Sequence, residues 1–262
     1  MASTPPSLTR DDALKVPIRE RTAVLSGLAL LTLLSWGYLW SLARDPMAIC
    51  MINMKPWSAA DLAALFAMWT VMMVGMMVPS ASPMILAFTA VDRRRRAHSL
   101  SGVATGVFVL GYVAAWTGFS IAATFAQAAL HSAALLSPTG VSTNRVLGGS
   151  LLVTTGIFQW TPLKNACLRH CRSPLGFFLT EWREGRWGAL QMGLKYGMYC
   201  IGCCCLLMGL LFVAGVMNLW WVAAIAGFIL VEKVTKAAPW IARATGILLI
   251  VWGTWTLVPV FR

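Results

Sequence analysis

Charged side chains are scarce in this sequence. They make up 11% of the 262 residues, and hydrophobic residues make up 58%, whereas a soluble globular protein carries about 25% charged residues. No polar stretch is long enough to build a separate soluble domain. The composition therefore predicts an all-α, polytopic transmembrane helical bundle, because apolar runs of about 20 residues are typical of helices that cross a bilayer.

Histidine is also rare. His98, His131 and His170 are the only three, and none falls in the middle of an apolar run. A haem or a copper site built on several imidazoles is therefore disfavoured. The sequence also lacks a nucleophile–base pair, a phosphate-binding loop and a zinc-protease motif, which excludes ordinary hydrolases. The sequence does not decide whether the protein is an enzyme.

Apolar runs and short basic segments alternate along the chain. Seven runs can be drawn, at about 22–43, 60–90, 101–128, 144–161, 188–215, 219–234 and 239–259. With the amino terminus inside, sixteen of the 21 Lys and Arg residues lie on inner segments and four on outer ones, as the positive-inside rule requires. The net charge of +12 is thus explained by topology, and nucleic-acid binding is excluded.

We therefore predict about seven helices with a cytoplasmic amino terminus, in a bacterial inner membrane. Residues 1–21 form a cytoplasmic segment, and residues 22–262 form one transmembrane domain with a basic cytoplasmic loop at about 162–187. An alternative stays open at residues 216–218: if this turn belongs to a re-entrant hairpin, the count becomes five crossings plus a hairpin.

One stretch concentrates most of the cysteine. Four of the seven cysteines fall within six residues, at Cys200, Cys203, Cys204 and Cys205. On a helix, the first three share one face, because residues three and four apart are neighbours, and Met208 extends that face. A stripe of soft sulfur ligands predicts a soft metal ion, above all Cu(I). The alternative is that these cysteines pack as small buried hydrophobes.

Methionines repeat at helical spacing in two other segments. The second apolar run carries two ladders with a spacing of four residues, and a short outer segment carries sulfur residues on one helical face. The candidate ligands are Met72 and Met76, Met73 and Met77, and, on the outer segment, Met47, Cys50 and Met51. The alternatives are gap-filling apolar packing and, for the outer segment, an amphipathic turn that contacts lipid.

A second cysteine pair lies in the basic segment. Cys167 and Cys171 are four residues apart among Lys and Arg residues, and His170 lies between them. Nearby cations lower the pKa of a thiol and make the thiolate available as a ligand or nucleophile. We predict a metal or redox site here, with His170 as a candidate third ligand. The alternative is an amphipathic surface helix with incidental cysteines.

The fifth run also contains a cation, Lys195, and the sixth ends with Glu232. Charged residues inside a membrane are costly and are usually paired. We therefore predict a Lys195–Glu232 ion pair. The alternative is that Lys195 extends its ammonium group to the inner interface.

Several of these motifs occur together in one known pattern. They are Trp69 to Ser80 with its methionines, Thr161 to Pro174, Tyr199 to Met208, Gly215 to Asn218, and Glu232 with Lys233. In combination they resemble an uncharacterised bacterial family described as predicted metal-binding integral membrane proteins. The resemblance spans roughly residues 60–235 and implies a helical membrane fold and metal binding, but no substrate. Cys205 stands where that pattern has a tryptophan.

The function that best fits the sequence is binding or movement of Cu(I) through Met and Cys ligands, with copper as the metal. Two alternatives are an integral subunit of a membrane metal-dependent oxidoreductase and a structural subunit of a membrane complex. The expected partners are the lipid bilayer and the metal ion, with a membrane-protein partner or a second copy of the chain left open.

Overall fold

The computed structural model of the chain describes residues 17–44, 58–95, 101–137, 140–235 and 237–258, without the side chains of residues 101–103. Within these ranges the chain is helical and contains no β-strand, only an isolated bridge between Leu136 and Ser142. The all-α prediction is confirmed. The helices are α1 Ile18–Ala43, α2 Ala59–Arg95, α3 Ser101–Ser132, α4 Arg145–Phe158, α5 Pro162–Arg172, α6 Pro174–Glu181, α7 Gly185–Gly209, α8 Leu211–Ala214, α9 Leu219–Val234 and α10 Ala238–Leu257.

Five helical segments of the described ranges are long and apolar enough to cross a membrane. They are α1, α2, α3, α7 continued by α8, and α10. The other two apolar runs also form helices, but α4 has only 14 residues and α9 only 16. A helical bundle suited to a membrane is therefore confirmed, whereas seven crossings and the orientation of the amino terminus stay predictions.

The segment expected to be a basic loop, residues 162–187, is mostly helical. Two short helices, α5 and α6, occupy residues 162–181, and α5 packs along α7. Pro162 and Pro174 each start a helix at the position where a missing N–H costs nothing. Lys164, expected in solvent, is completely buried. The sequence left open an amphipathic surface helix at the cysteine pair, and α5 is such a helix, with one face buried against α7.

Glycine brings α3 and α7 into close contact. A Cβ atom at Gly193 would overlap the carbonyl oxygen of Phe108, and one at Gly111 would overlap the carbonyl oxygen of Leu190. Gly197 packs in the same way against Ala115. The two backbones therefore touch directly, as small residues permit in membrane bundles.

Two prolines inside α2 free carbonyl groups that the bundle satisfies. Pro79 has no N–H to bond the carbonyl of Gly75, and the indole N–H of Trp36 on α1 donates to that carbonyl at 3.3 Å. Pro83 likewise frees the carbonyl of Pro79, which accepts from the hydroxyl of Ser82 at 2.8 Å. No water is needed to satisfy these groups, as a membrane interior requires.

Candidate metal centre

The cysteine-rich stretch forms one turn and a half of α7 inside the bundle. Cys200, Cys203 and Cys204 are buried with at most 1% of their surface exposed, and Met208 on the same face is also buried. Cys205 is only partly buried. The helical spacing therefore separates the three inward-facing thiols from Cys205, as the sequence predicts.

The thiols contact one another. The Sγ atom of Cys203 lies 3.1 Å from that of Cys204, and Cys203 donates to the carbonyl oxygen of Cys200 at 3.1 Å. Cys171, from α5, is buried beside this group, where its thiol interacts with those of Cys200 and Cys203. The interaction with Cys200 raises the pKa of the Cys171 thiol well above its usual value. We call these four residues the thiol centre.

The predicted pair is divided between a buried thiol, Cys171, and a partly exposed one, Cys167. Burial raises the pKa of Cys167, which is the opposite of the lowering that neighbouring cations were expected to cause. His170 lies on the exposed side of α5, where its ring stacks on Tyr199 at 4.3 Å between centroids, and its Nδ1 is 2.9 Å from the carbonyl oxygen of Ala166. The structure thus brings Cys171 to the cysteines of α7 and leaves His170 out of that group.

A lysine and a tyrosine bind the thiol centre. The Nζ of Lys233, on α9, donates to the Sγ of Cys200 at 2.9 Å and to the hydroxyl of Ser80 at 2.8 Å. The hydroxyl of Tyr112, on α3, lies 3.3 Å from the same sulfur and donates to the carbonyl oxygen of Met77 at 3.1 Å. Cys200 is therefore the point at which α2, α3, α5, α7 and α9 meet.

The predicted Lys195–Glu232 pair is wrong. Lys195 pairs with Glu181 at 2.6 Å, and the ammonium group is 45% exposed. Glu232 is buried and pairs with Lys164 at 2.7 Å, and Lys164 also donates to the side-chain oxygen of Gln159. Helix α5 was taken for a solvated loop, so its lysine was not considered as a partner for Glu232.

The methionine ladders of α2 are inside the bundle. Met72, Met73, Met76 and Met77 each expose at most 1% of their surface. They therefore face protein, not lipid, although burial alone does not distinguish a metal path from apolar packing. The outer candidates Met47, Cys50 and Met51 lie outside the residues that the structure describes.

Sequence reasoning missed Lys233, Tyr112 and Ser80. Lys233 was visible only as the neighbour of Glu232 at the end of an apolar run, where a lysine ordinarily marks an interface. Tyr112 and Ser80 carry no spacing signal at all. Their role depends on helix contacts between residues far apart in sequence, which periodicity does not reveal.

The donor set suits a soft metal ion. Thiolate and thioether sulfurs select Cu(I) over hard cations, and four thiols with Met208 nearby are of this kind. In the described ranges, no three His, Cys, Asp or Glu side chains are already arranged as a metal-binding group. Metal binding at the thiols would replace the hydrogen bond between Cys203 and Cys204 with metal–sulfur bonds.

Comparison with known proteins gives one family. A family model described as “PpoB2: Copper chaperone” matches residues 66–256, nearly three quarters of the chain. No significant match to a curated protein or to a solved structure was found. The resemblance to a metal-related family is thereby supported, and the matched region contains every residue of the thiol centre.

Proposed function

The chain belongs to the copper-chaperone family described as PpoB2, and we propose that it is an integral membrane protein that binds Cu(I) at the thiol centre and passes it on. The observation that carries this proposal is the burial of Cys171, Cys200, Cys203 and Cys204 beside one another inside the bundle, with the sulfurs of Cys203 and Cys204 3.1 Å apart. Structural cysteines have no need of such mutual contacts, whereas a soft cation needs several sulfurs within reach of one point.

Lys233 supplies the charge that such a site needs. A Cu(I) ion held by two thiolates carries one negative charge, and an uncompensated charge in an apolar interior is costly. The ammonium group of Lys233 already lies 2.9 Å from Cys200, so the metal complex and the lysine together are neutral. The hydroxyl of Tyr112 lies 3.3 Å from the same sulfur. By turning its proton from the carbonyl oxygen of Met77 to the thiolate it would orient that sulfur, as outer groups commonly do at metal sites.

The methionines provide a path toward the centre. Met77 lies on the turn of α2 that contacts Tyr112, and Met76, Met73 and Met72 continue away from it along the same helix. Thioethers bind Cu(I) without losing a proton, which suits ions in transit through an apolar interior. We propose that copper collected at Met47, Cys50 and Met51 travels along this ladder to the thiol centre.

We further propose a cytoplasmic amino terminus and seven crossings in a bacterial inner membrane. Glu20 at the start of α1 pairs with Arg93 at the end of α2 at 3.0 Å. Arg95 pairs with Glu184, just before α7, at 3.5 Å. One end of the bundle thus gathers three of the basic segments, which supports its assignment to the cytoplasmic side.

Copper content tests the proposal. The full-length protein, purified in detergent, is loaded with Cu(I) and then equilibrated with bicinchoninate as a competing ligand, and retained copper is measured by elemental analysis. We expect stoichiometric copper in the unaltered protein and its loss in Cys200→Ser.

The matched control is Met198→Leu. It also removes one sulfur from α7, but Met198 is 60% exposed and faces away from the centre. This variant should retain copper. Equal copper content in Cys200→Ser and the unaltered protein would contradict the proposal.

A further inference from the structure

Two thiols lie just outside the thiol centre. Cys167 on α5 and Cys205 on α7 are partly exposed, whereas Cys171, Cys200, Cys203 and Cys204 are buried. Sequence patterning sets Cys205 apart from the other cysteines, and the helix geometry turns it away from them. Neither residue has a part in the centre as described so far.

The two outer thiols are neighbours across the contact between α5 and α7. A Cβ atom added at Gly202 would lie 2.8 Å from the Sγ of Cys167, so this sulfur rests directly on α7. Cys205 is one turn further along the same side of α7, and Cβ atoms three residues apart on a helix are about 5–6 Å apart.

The same two helices connect this outer pair to the buried group. On α5, Cys167 is one turn from Cys171, and on α7, Cys205 directly follows Cys204. Each outer thiol therefore has an inner thiol within one helical turn. Because Gly202 has no side chain, the sulfur of Cys167 can lie directly against α7 at this position.

We propose that Cys167 and Cys205 form a second Cu(I) site, through which copper moves between the thiol centre and an external thiol or thioether ligand. This relay rests on the proposed function. Each step is a ligand exchange at constant oxidation state. A bond from copper to Cys171 or Cys204 forms while a bond to Cys167 or Cys205 breaks, and the proton of the incoming thiol passes to the outgoing thiolate.

The rate of copper transfer tests the relay separately from copper binding. Full-length protein loaded with one equivalent of Cu(I), which fills the thiol centre, is mixed with excess bicinchoninate, and formation of the coloured complex is followed in time. We expect Cys167→Ser and Cys205→Ser to keep the equilibrium copper content of the unaltered protein but to release copper about tenfold more slowly. Cys205→Met should keep the original rate because it retains a soft sulfur, and Met198→Leu should do the same.

The outcomes separate the two proposals. Absence of copper from the unaltered protein would overturn the proposed function and the relay with it. Unchanged release rates in both serine variants would overturn the relay alone. Loss of equilibrium copper in these variants would also overturn it, because the outer thiols would then hold the metal instead of passing it on.

A measurement on the unaltered protein removes any dependence on the folding of variants. Alkylation by N-ethylmaleimide, quantified by mass spectrometry, should modify Cys167 and Cys205 after one equivalent of Cu(I) and should be suppressed at both by a second equivalent. Continued modification of both thiols at the second equivalent would overturn the relay.

Discussion

At the scale of single residues, Lys233 places a cation beside the thiol centre. The residue is 7% exposed, and its ammonium group donates to Cys200 and Ser80. The spacing of residues in the sequence did not predict any of the contacts of Lys233 in the centre. The inward-facing cysteines were predictable because they share one helix, whereas the cation opposite them comes from a helix 33 residues further along the chain.

Replacement of Lys233 tests its role as counter-charge. Lys233→Met should lower the affinity for Cu(I) by about 10–100-fold, the usual cost of losing an outer-shell partner of a metal ligand. Lys233→Arg should retain most of the affinity because the charge stays. Affinity is measured by competition with bicinchoninate, and Lys195→Met, which alters a half-exposed lysine on α7, is the control. Wild-type affinity in Lys233→Met would refute the role.

The Lys164–Glu232 pair is a second residue-scale feature with a measurable consequence. Both side chains are at most 2% exposed, so removal of one partner leaves a buried charge. Glu232→Gln should reduce the free energy of unfolding by about 3–5 kcal/mol, measured by denaturant titration in detergent. The double variant Lys164→Met/Glu232→Leu should recover much of that loss, because apolar residues replace the whole pair.

Glu181→Gln is the matched control for this pair. The side chain of its partner Lys195 is 45% exposed, and ion pairs in contact with solvent contribute only about 0–1 kcal/mol. Equal losses of unfolding free energy in Glu181→Gln and Glu232→Gln would mean that burial of the Lys164–Glu232 pair has no energetic effect.

At the scale of helices, hydropathy predicted every long helix but did not predict that the short helices α5 and α6 pack into the bundle. Apolar runs identify α1, α2, α3, α7 and α10 because each is long and apolar enough to cross a bilayer. Helix α5 is short and rich in Lys and Arg, and its buried face consists largely of Lys164, Leu168 and Cys171. A hydropathy window averages such a face with the polar side, so its burial is visible only in three dimensions.

The contact between α3 and α7 gives an element-scale prediction. Gly193→Ala should destabilise the protein by about 1–3 kcal/mol, because the added methyl group overlaps the backbone of α3. The shift should also separate Tyr112 from Cys200 and weaken copper binding. Thermal unfolding in detergent and copper competition measure the two effects.

Gly118→Ala is the control for this helix contact. Gly118 lies on α3 with nothing within 4 Å of an added Cβ, and alanine favours helix by about 1 kcal/mol relative to glycine. It should leave stability unchanged or raise it. A similar loss of stability in both variants would refute the close-packing explanation.

At the scale of the whole molecule, the open question is whether the turn at residues 216–218 lies between two full crossings or inside a re-entrant hairpin. Seven crossings predict that Asn218, an exposed residue of this turn, faces the outer side. Asn218→Cys should therefore react with a membrane-impermeant maleimide in right-side-out vesicles and not in inside-out vesicles, above the background of the native protein. Ala237→Cys, in the turn between α9 and α10, should show the reverse. Protection of residue 218 in both preparations would favour the re-entrant hairpin.

The contacts of α9 also set the order in which the centre is completed during biosynthesis. All four cysteines and Lys164 leave the ribosome before Glu232 and Lys233, because the chain is made from its amino terminus. Until α9 inserts, the Lys164 ammonium group lacks its carboxylate and Cys200 lacks its cation. A nascent chain that ends before α9 therefore has the sulfur ligands without their compensating charges, so copper loading should follow insertion of the last two helices.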